Sequence, residues 1–408
     1  MGRLAVIGRV LGQRNAQVFY GASMVSWSGL WMQKVAVDWL AWELTHSALW
    51  VGALAFCNLA PAILISPFAG AVSDRMDRVR LTTAAQLLTA AHAATLAALT
   101  LTGLVRIEYI AVLEVFLGTV QAFAQPARQS LVPGIVGRAD LPGAVALNSL
   151  CYNLARSIGP GIGGAIVFWF GVAPAMLANC AAYVFASATM RALRLDPAHR
   201  RGHAPTGSVW REARDGFVYV ARHPGMGPLF LFAASIGVLT RGVQEMLPPY
   251  VGLFGRGPEG LATLSSAIGL AALVGGTLVA LRGRLSGLSG LVIGSGLGMA
   301  VATAGFVATG SFGFAVVCAG AMGMASTIHG IAAQTLLQSA TSGHMIGRVI
   351  SLWGMITRVG PAAGALTYGA LAGVAGLRWP VLAGCLLAIG VCGFALTRRG
   401  RMARALEQ

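Results

Sequence analysis

The sequence predicts an all-α membrane protein with twelve transmembrane helices arranged in two pseudo-symmetric six-helix bundles. Hydrophobic residues make up 56% of the 408 residues and charged residues only 10%, and the mean hydropathy is +0.72. A soluble domain carries about 25% charged residues, so this chain has too few to cover a water-facing surface. About a dozen apolar runs reach the roughly 20 residues that cross a hydrocarbon core as a helix.

The twelve predicted spans are separated by short polar segments that carry most of the arginines. Of these, 22 fall on the side of the amino terminus and three, Arg106, Arg256 and Arg378, on the other. Basic loops mark the cytoplasmic face, so both termini are expected there. Arg outnumbers Lys 28 to 1 beside abundant Ala and Gly, a composition typical of a GC-rich bacterium, which suggests its plasma (inner) membrane. The spans lie at 17–42, 48–73, 79–103, 107–127, 143–168, 173–193, 226–252, 260–282, 287–309, 312–339, 349–374 and 378–397.

Neither the basic charge nor the cysteines point to a nucleic acid, a metal or a cofactor. The net charge is +16, but the basic residues are scattered between apolar runs and form no aromatic-basic cluster. The six cysteines lie singly inside apolar runs, without the paired spacing of ligands or disulfides. We therefore expect no nucleic acid, no metal site and no cofactor.

The longest polar stretch divides the spans into six and six. It predicts an N-terminal bundle at 1–193, a cytoplasmic linker at 194–225 and a C-terminal bundle at 226–408. Within the linker, Trp210, Phe217 and Val220 alternate with charged residues at helical spacing, which favours a helix lying along the inner membrane surface. A plain solvated linker helix is the alternative.

The two halves repeat one another in sequence. LARSIGPGIGGAIV (154–167) recurs as MITRVGPAAGALTY (355–368), and Gly159-Pro160 matches Gly360-Pro361, 201 residues later. Arg156 and Arg358 precede these pairs with a slip of one residue. A six-helix unit repeated in one orientation is typical of transporters whose halves rock about a central site.

Several tracts resemble the major facilitator superfamily, and most closely its drug and siderophore efflux subfamily of the enterobactin-exporter type. GAVSDRMDRVR (70–80) is similar to the superfamily loop G-x-x-x-D-R-x-G-R-[KR], although Asp77 and Val79 depart from it. QPARQSLVPGIVGRADLPGAVALNSLCYNLARSIGPGIGG (125–164) and DWLAWELTHSALWVG (38–52) match the subfamily more specifically. The resemblance implies alternating access, with helices 1, 4, 7 and 10 lining a central cavity.

The resemblance also implies where gating residues lie. In the family, the Asp and Arg of this loop engage the other half when the cytoplasmic side closes, and Asp74 is expected near the amino end of span 11. The alternative is that the loop charges only fix topology. The expected gating residues are Asp74, Arg75, Arg78, Arg156, Gly159, Pro160, Arg358, Gly360 and Pro361.

Polar stripes run along two of the predicted spans. Burying a charge at mid-bilayer costs at least ~2.5–3.5 kcal/mol, so each charge there needs a function or a partner. Spacings of three and four place such residues on one helix face, turned to a polar interior. The stripe of span 4 is Glu114, Gly118, Gln121, Gln125 and Arg128, and that of span 1 is Tyr20, Ser23, Trp27, Trp31, Lys34 and Asp38.

These stripes supply the candidate site residues. Glu114 has no basic residue at helical spacing and is the first candidate for carrying a proton, followed by Asp38 and Glu245. Asp38 and Glu245 stand four residues from Lys34 and Arg241, so structural ion pairs are the alternative. His92 is expected to be structural. The residues expected to line the substrate cavity are Trp27, Trp31, Lys34, Gln121, Gln125, Arg241, Gln244 and His329.

Together these observations predict a secondary active transporter, not an enzyme. The sequence has no GxxxxGK[ST] loop for ATP and no HExxH or GxSxG arrangement. The leading hypothesis is proton-coupled efflux, by antiport, of small organic molecules such as drugs or siderophores. Uptake or facilitated diffusion without protons, or lipid handling, are the alternatives. Expected partners are a small-molecule substrate, protons and the lipid bilayer, and one chain of twelve helices suffices as a functional monomer.

Overall fold

The computed structural model is helical throughout its described part, as the sequence predicts. It describes residues 8–137, 140–193, 209–282, 285–342 and 345–407, without the side chains of 62–64, 66–75, 142, 146 and 209–213. The first six helices are α1 (Arg14–Thr45), α2 (Ala48–Arg75), α3 (Arg78–Leu101), α4 (Ile107–Val136), α5 (Leu141–Phe170) and α6 (Val172–Met190). Then follow α7 (Val209–Arg222), α8 (Met226–Leu239), a 3₁₀ turn (Arg241–Glu245), α9 (Leu247–Leu253), α10 (Pro258–Arg282), α11 (Leu288–Ala308), α12 (Phe312–Ala340), α13 (Ile346–Ala375) and α14 (Trp379–Leu406).

Many of these helices match a membrane in length and composition. Within the described ranges, eight qualify as spans on both counts: α3, α4, α6 and α10 to α14. Helix α1 is as long but carries Lys34, Asp38 and Glu43. Large apolar side chains point outward, among them Leu281, which is 78% exposed, and Val374, which is 91% exposed. Apolar side chains on the outside are what contact with acyl chains requires, so the chain is a multi-span membrane protein.

The chain forms two compact units. One comprises residues 1–40 and 61–206, and the other comprises residues 41–60 and 207–408. In the second unit the beginning of α2 packs on α13 at backbone distance, because Gly52 contacts Ala365 and Gly369 contacts Ala48. The three-part division of the sequence stays a prediction.

The repeated Gly-Pro pairs make the same kind of contact in each unit. In the first unit, Gly159 and Gly163 bring α5 onto α1. A Cβ added at Gly159 would lie 2.7 Å from Trp31 Cβ, and one added at Gly163 would lie 2.7 Å from Met32 Cα. In the second, Gly360 and Gly364 bring α13 onto α8 at Gly237 and Val238. Small residues four apart allow such close helix packing. The sequence repeat therefore corresponds to a structural repeat.

The seventh predicted span is wrong as a continuous helix. Helix α8 ends at Leu239, a 3₁₀ turn follows over Arg241–Glu245, and α9 begins at Leu247. The physical reason lies in Pro248 and Pro249, which have no N–H to donate to a preceding turn, and in Gly242. A Cβ on Gly242 would lie 2.5 Å from the carbonyl carbon of Gly364, so the close approach of α13 holds the turn in place.

The linker helix α7 packs on the second unit. Val220 is buried in that unit's core, whereas Phe217, one turn earlier, is 65% exposed. Asp215 Oδ2 lies 3.6 Å from Arg348 Nη1 at the beginning of α13. Helix α7 is thus docked on the second unit's core through Val220, and its place along the membrane surface stays a prediction.

The carboxyl end of the chain is held at the amino end of α11. The carboxylate of Glu407 accepts hydrogen bonds from the backbone N–H groups of Gly287, at 2.6 Å, and Ser289, at 2.7 Å. Partial burial raises the pKa of Glu407, but these two donors and the positive charge of Arg399 outweigh burial and lower it from 4.5. The ionised carboxylate thus fixes the last turn of α14 at the positive end of the α11 dipole.

We expect Glu407→Gln to destabilise the protein by about 1 kcal/mol at neutral pH, since the amide lacks the charge that these N–H groups favour. A depressed folded-state pKa stabilises above the unfolded value and loses that effect as pH falls through the folded value. The difference between wild type and variant should therefore shrink below pH 4.5. Thermal unfolding of the purified protein in detergent at several pH values measures it. Glu108→Gln, at an exposed position, is the control, and a gap that persists in acid contradicts this role.

Candidate functional site

Five side chains of the first unit form a Trp–Arg cluster: Trp27 and Trp31 of α1, Arg128 of α4, and Tyr152 and Arg156 of α5. Tyr152 meets both indoles edge to face, with centroid distances of 5.4 Å to Trp27 and 6.2 Å to Trp31. The Arg128 guanidinium lies over the Trp27 ring, 3.6 Å from its centroid, and Arg156 lies over Trp31 at 5.4 Å. These are cation–π contacts, which are strongest where water is excluded.

Helical spacing and one glycine explain how the cluster assembles. Trp27 and Trp31 are one turn apart on α1, and Tyr152 and Arg156 are one turn apart on α5, so each pair shares a face. Gly159, one turn beyond Arg156 and two turns beyond Tyr152, lets the α5 backbone reach α1 at Ser28 and Trp31. The contact predicted for gating is thus the contact that places Arg156 over Trp31.

Arg128 lies inside α4 and not in a loop. The predicted span ended at residue 127, whereas α4 continues to Val136 through Pro126 and Pro133. Its guanidinium also lies 5.5 Å from the Phe19 ring, and its Nη2 is buried without a hydrogen-bond partner among the described residues. The loop assignment was therefore wrong, and the place of Arg128 on the polar stripe of α4 is confirmed.

A buried polar chain crosses the first unit from α4 to α6. Glu114 Oε1 lies 3.8 Å from His92 Nε2 of α3, and His92 Nδ1 lies 3.0 Å from Gln33 Nε2 of α1. Asn179 of α6 donates a hydrogen bond from Nδ2 to Gln33 Oε1. All four side chains are buried, and Asn179 is 0% exposed. We call these four residues the buried polar chain.

The order of donors in the buried polar chain fixes the state of His92. The Gln33 carbonyl oxygen already accepts from Asn179, so its amide nitrogen donates and His92 Nδ1 accepts. A neutral imidazole has one donor and one acceptor. With the amides in these orientations the ring proton lies on Nε2. This nitrogen is 3.8 Å from Glu114 Oε1, beyond hydrogen-bond distance, and has no hydrogen-bond partner among the described residues. The spacing along α4 could not reveal the partner of Glu114, because His92 lies on another helix, α3.

Lys34 and Asp38 form the ion pair that the sequence offered as an alternative. Lys34 Nζ lies 2.9 Å from Asp38 Oδ2, one turn apart on α1. The positive charge of Lys34 and the negative charge of Asp38 cancel within this pair on α1. Gln121 and Gln125 are partly exposed on α4. The roles predicted for these four residues stay predictions.

The second unit holds the other candidates in different surroundings. Arg241, Gln244 and Glu245 lie on the 3₁₀ turn, where residues three apart and not four apart share a face. The roles predicted for Arg241, Gln244 and Glu245 stay predictions. His329 is 4% exposed, with its Nδ1 3.2 Å from the carbonyl oxygen of Val292 and its ring 5.7 Å from that of Phe232. Such packing favours a structural role for His329.

The loop between α2 and α3 is only partly described. Asp74 and Arg75 lie in the last turn of α2, and their side chains fall outside the described residues. Asp77 caps α3 by accepting from Val79 N and Arg80 N, which accounts for an acid that topology does not require. Arg78 Nη1 donates to the carbonyl oxygen of Ser130 in α4 at 3.1 Å, inside the same unit.

Four contributors to the site were missed by sequence reasoning. Tyr152 could have been found, since it stands one turn from Arg156 on the face that bears Gly159. Gln33 and Asn179 are single amides in apolar surroundings, and the sequence predicts only a structural role for His92. A lone amide in a span carries no periodic signal, because its partners come from other helices.

The sequence matches a known family over nearly its whole length. The model of the transmembrane secretion effector family covers residues 11–405. The multidrug efflux pump Tap of Mycolicibacterium fortuitum is 27% identical over 92% of this chain and 94% of that protein. The staphyloferrin A transporter of Staphylococcus aureus is 29% identical over 41% of this chain and 43% of that protein. The enterobactin exporter EntS of Escherichia coli is 28% identical over 59% of this chain and 56% of that protein.

Solved transporter structures share the fold. A bacterial homologue of the human lysosomal transporter Spinster superposes with a TM-score of 0.75 at 13% identity, covering 97% of this chain and 98% of that one. A peptide transporter of the POT family superposes with a TM-score of 0.77 at 12% identity, covering 95% and 96%. At these identities the likeness concerns the fold alone.

We expect Gly159→Ala to destabilise the first unit by about 1–3 kcal/mol, because the new methyl group must push the α1 backbone at Ser28 away. Thermal unfolding of the purified protein measures it. The matched control is Gly21→Ala on α1, where an added Cβ meets nothing within 4 Å. That control should be neutral or stabilising by about 0.5–1 kcal/mol. Equal stability of the two variants would show that the α1–α5 contact is not tight.

Proposed function

Because the chain belongs to the transmembrane secretion effector family of the major facilitator superfamily, we propose that it exports a small organic molecule in exchange for protons. Family and relatives are transporters and not enzymes. Export is supported by the functions for which relatives are named, which include a multidrug efflux pump, macrolide efflux proteins and an enterobactin exporter. Without a nucleotide-binding loop, the energy comes from an ion gradient and the mechanism is alternating access.

The single observation that carries the proton coupling is the approach of Glu114 to His92. Two titratable side chains 3.8 Å apart, both buried in an apolar bundle, interact electrostatically, so protonation of one changes the free energy of protonating the other. When Glu114 is ionised, the Nε2–H of His92 stabilises the carboxylate. An arriving proton can bind to the His92 ring, which gives an imidazolium beside a carboxylate, or to Glu114, which leaves both side chains neutral. The low dielectric of the bundle favours the form in which both are neutral.

The buried polar chain links that proton to helix positions. Gln33 and Asn179 orient the His92 ring by hydrogen bonds. A change of charge on Glu114 therefore alters interactions that join α1, α3, α4 and α6. A ligand shifts a conformational equilibrium only by its difference in affinity for the two states. The proton acts as such a ligand if one state holds Glu114 and His92 at this distance and the other separates them.

The alternatives from the sequence make different demands on Glu114. Uptake or facilitated diffusion without protons needs no buried carboxylate, and lipid handling needs a path open to the bilayer. The cost of burying Glu114 beside His92 favours proton coupling over both. We further propose that the protein lies in a bacterial inner membrane as a monomer with both termini in the cytoplasm, in accordance with its arginine distribution.

We expect Glu114→Gln to remove the dependence of export on the proton gradient, because the amide keeps the shape but carries no proton. A growth-inhibition panel with deletion and overexpression strains first identifies an exported compound. Its accumulation is then measured in cells with and without a protonophore. Wild-type cells should fill with the compound when the gradient collapses, whereas cells with the variant should accumulate it equally in both conditions.

The control for this experiment lies on the same helix. Glu108 is exposed in the first turn of α4, so Glu108→Gln should leave gradient-dependent export intact. Unchanged gradient dependence in a folded Glu114→Gln variant would rule out Glu114 as the proton carrier. If accumulation of every compound is independent of the protein, export itself is refuted.

A further inference from the structure

Resting on the proposed function, we propose that the Trp–Arg cluster is the substrate site and that its substrate is an aromatic organic anion. The cluster combines two indole faces, one phenol ring and two guanidinium groups from three helices of the first unit. Flat aromatic surfaces bind planar rings by stacking and edge contacts. Guanidinium groups bind carboxylate, sulfonate or phenolate oxygens through forked hydrogen bonds.

Among the described residues, no carboxylate balances the positive charge of the Trp–Arg cluster. No carboxylate of the described residues forms an ion pair with Arg128 or Arg156. Asp38 is engaged by Lys34. Glu114 lies about 21 Å from Arg128 along α4, at 1.5 Å per residue, and faces His92. The charge missing at the cluster is therefore negative.

The hydrogen-bonding groups of the cluster point to the same ligand. Arg128 Nη2 and Trp31 Nε1 are both buried donors, and neither has an acceptor in the part of the chain that the structure describes. A buried donor without an acceptor costs about 1–3 kcal/mol, and two occur in one cluster. An anionic group supplies acceptors to both, whereas an organic cation would add donors and repulsion.

The position of the cluster also fits a ligand site. Trp31, Tyr152 and Arg156 are partly exposed, while Trp27 is buried beneath them. A ring that stacks at this exposed edge would bring its acidic group towards Arg128. The expected ligand is thus a planar aryl ring with one or more acidic groups, such as an aryl carboxylate, sulfonate or catecholate.

A matched set of probes tests charge separately from shape. Naphthalene sulfonate, naphthalene methanol and naphthylmethylammonium share one ring and differ in charge. Their affinities for the purified full-length protein in a neutral detergent are measured by isothermal titration calorimetry. The sulfonate should bind about tenfold more tightly than the alcohol, in line with one charge-assisted hydrogen bond, and the ammonium should be the weakest. Ammonium binding as tight as that of the sulfonate overturns the proposal.

Variants locate the binding. Arg128→Gln and Arg156→Gln should each weaken sulfonate binding about tenfold and leave the alcohol nearly unchanged, since only the anion gains from the guanidinium. Trp31→Ala should weaken both. The controls are Arg106→Gln and Trp169→Ala, both at exposed positions. If Arg128→Gln does not fold, the test uses Arg156→Gln and Arg128→Lys instead. Lysine keeps the positive charge but cannot form the forked hydrogen bonds of a guanidinium group. Wild-type affinity for the sulfonate in these folded variants refutes the site.

The two proposals can fail separately. Binding is measured without a membrane or a proton gradient, so it does not depend on coupling. Sulfonate-selective binding by a protein whose export ignores the gradient would refute only the proposed proton coupling. Proton-driven export of cations, with no sulfonate binding, would refute only the assignment of this substrate class.

Discussion

The structure of the first unit depends on one constraint: a polar group inside a membrane helix must find its partner on another helix. Water is absent from the hydrocarbon core, and an unpaired charge there is costly. Glu114 meets this constraint through His92, and His92 does so through Gln33 and Asn179. The buried polar chain therefore sets the relative positions of α1, α3, α4 and α6.

Helix α1 connects this chain to the Trp–Arg cluster. Trp31 and Gln33 are two residues apart, or about 200° around the helix axis, so they face opposite neighbours. On one side Gly29 lets α6 approach, and on the other Gly159 lets α5 approach, both with little space to spare. A shift of α1 would change both sites at once, and under the proposed function this would couple the proton to the substrate.

Much of the fold could be predicted from the sequence because the membrane imposes length and composition on each span. The Lys34–Asp38 pair and the repeated Gly-Pro contacts were also accessible, since both follow from helical spacing. The break after α8 and the Glu114–His92 contact could not be predicted from the sequence. They depend on which helices become neighbours, as with Gly242 against Gly364, and periodicity within one helix carries no such information.

The central claim is that Glu114 exchanges a proton in contact with His92. Infrared difference spectroscopy of the purified protein between acidic and alkaline pH tests it directly, in the carbonyl-stretching region of protonated carboxylic acids. The account predicts a band that disappears in Glu114→Gln and shifts in His92→Gln, because the imidazole lies next to the carboxyl group. A band that persists in Glu114→Gln, or that His92→Gln leaves in place, would contradict it.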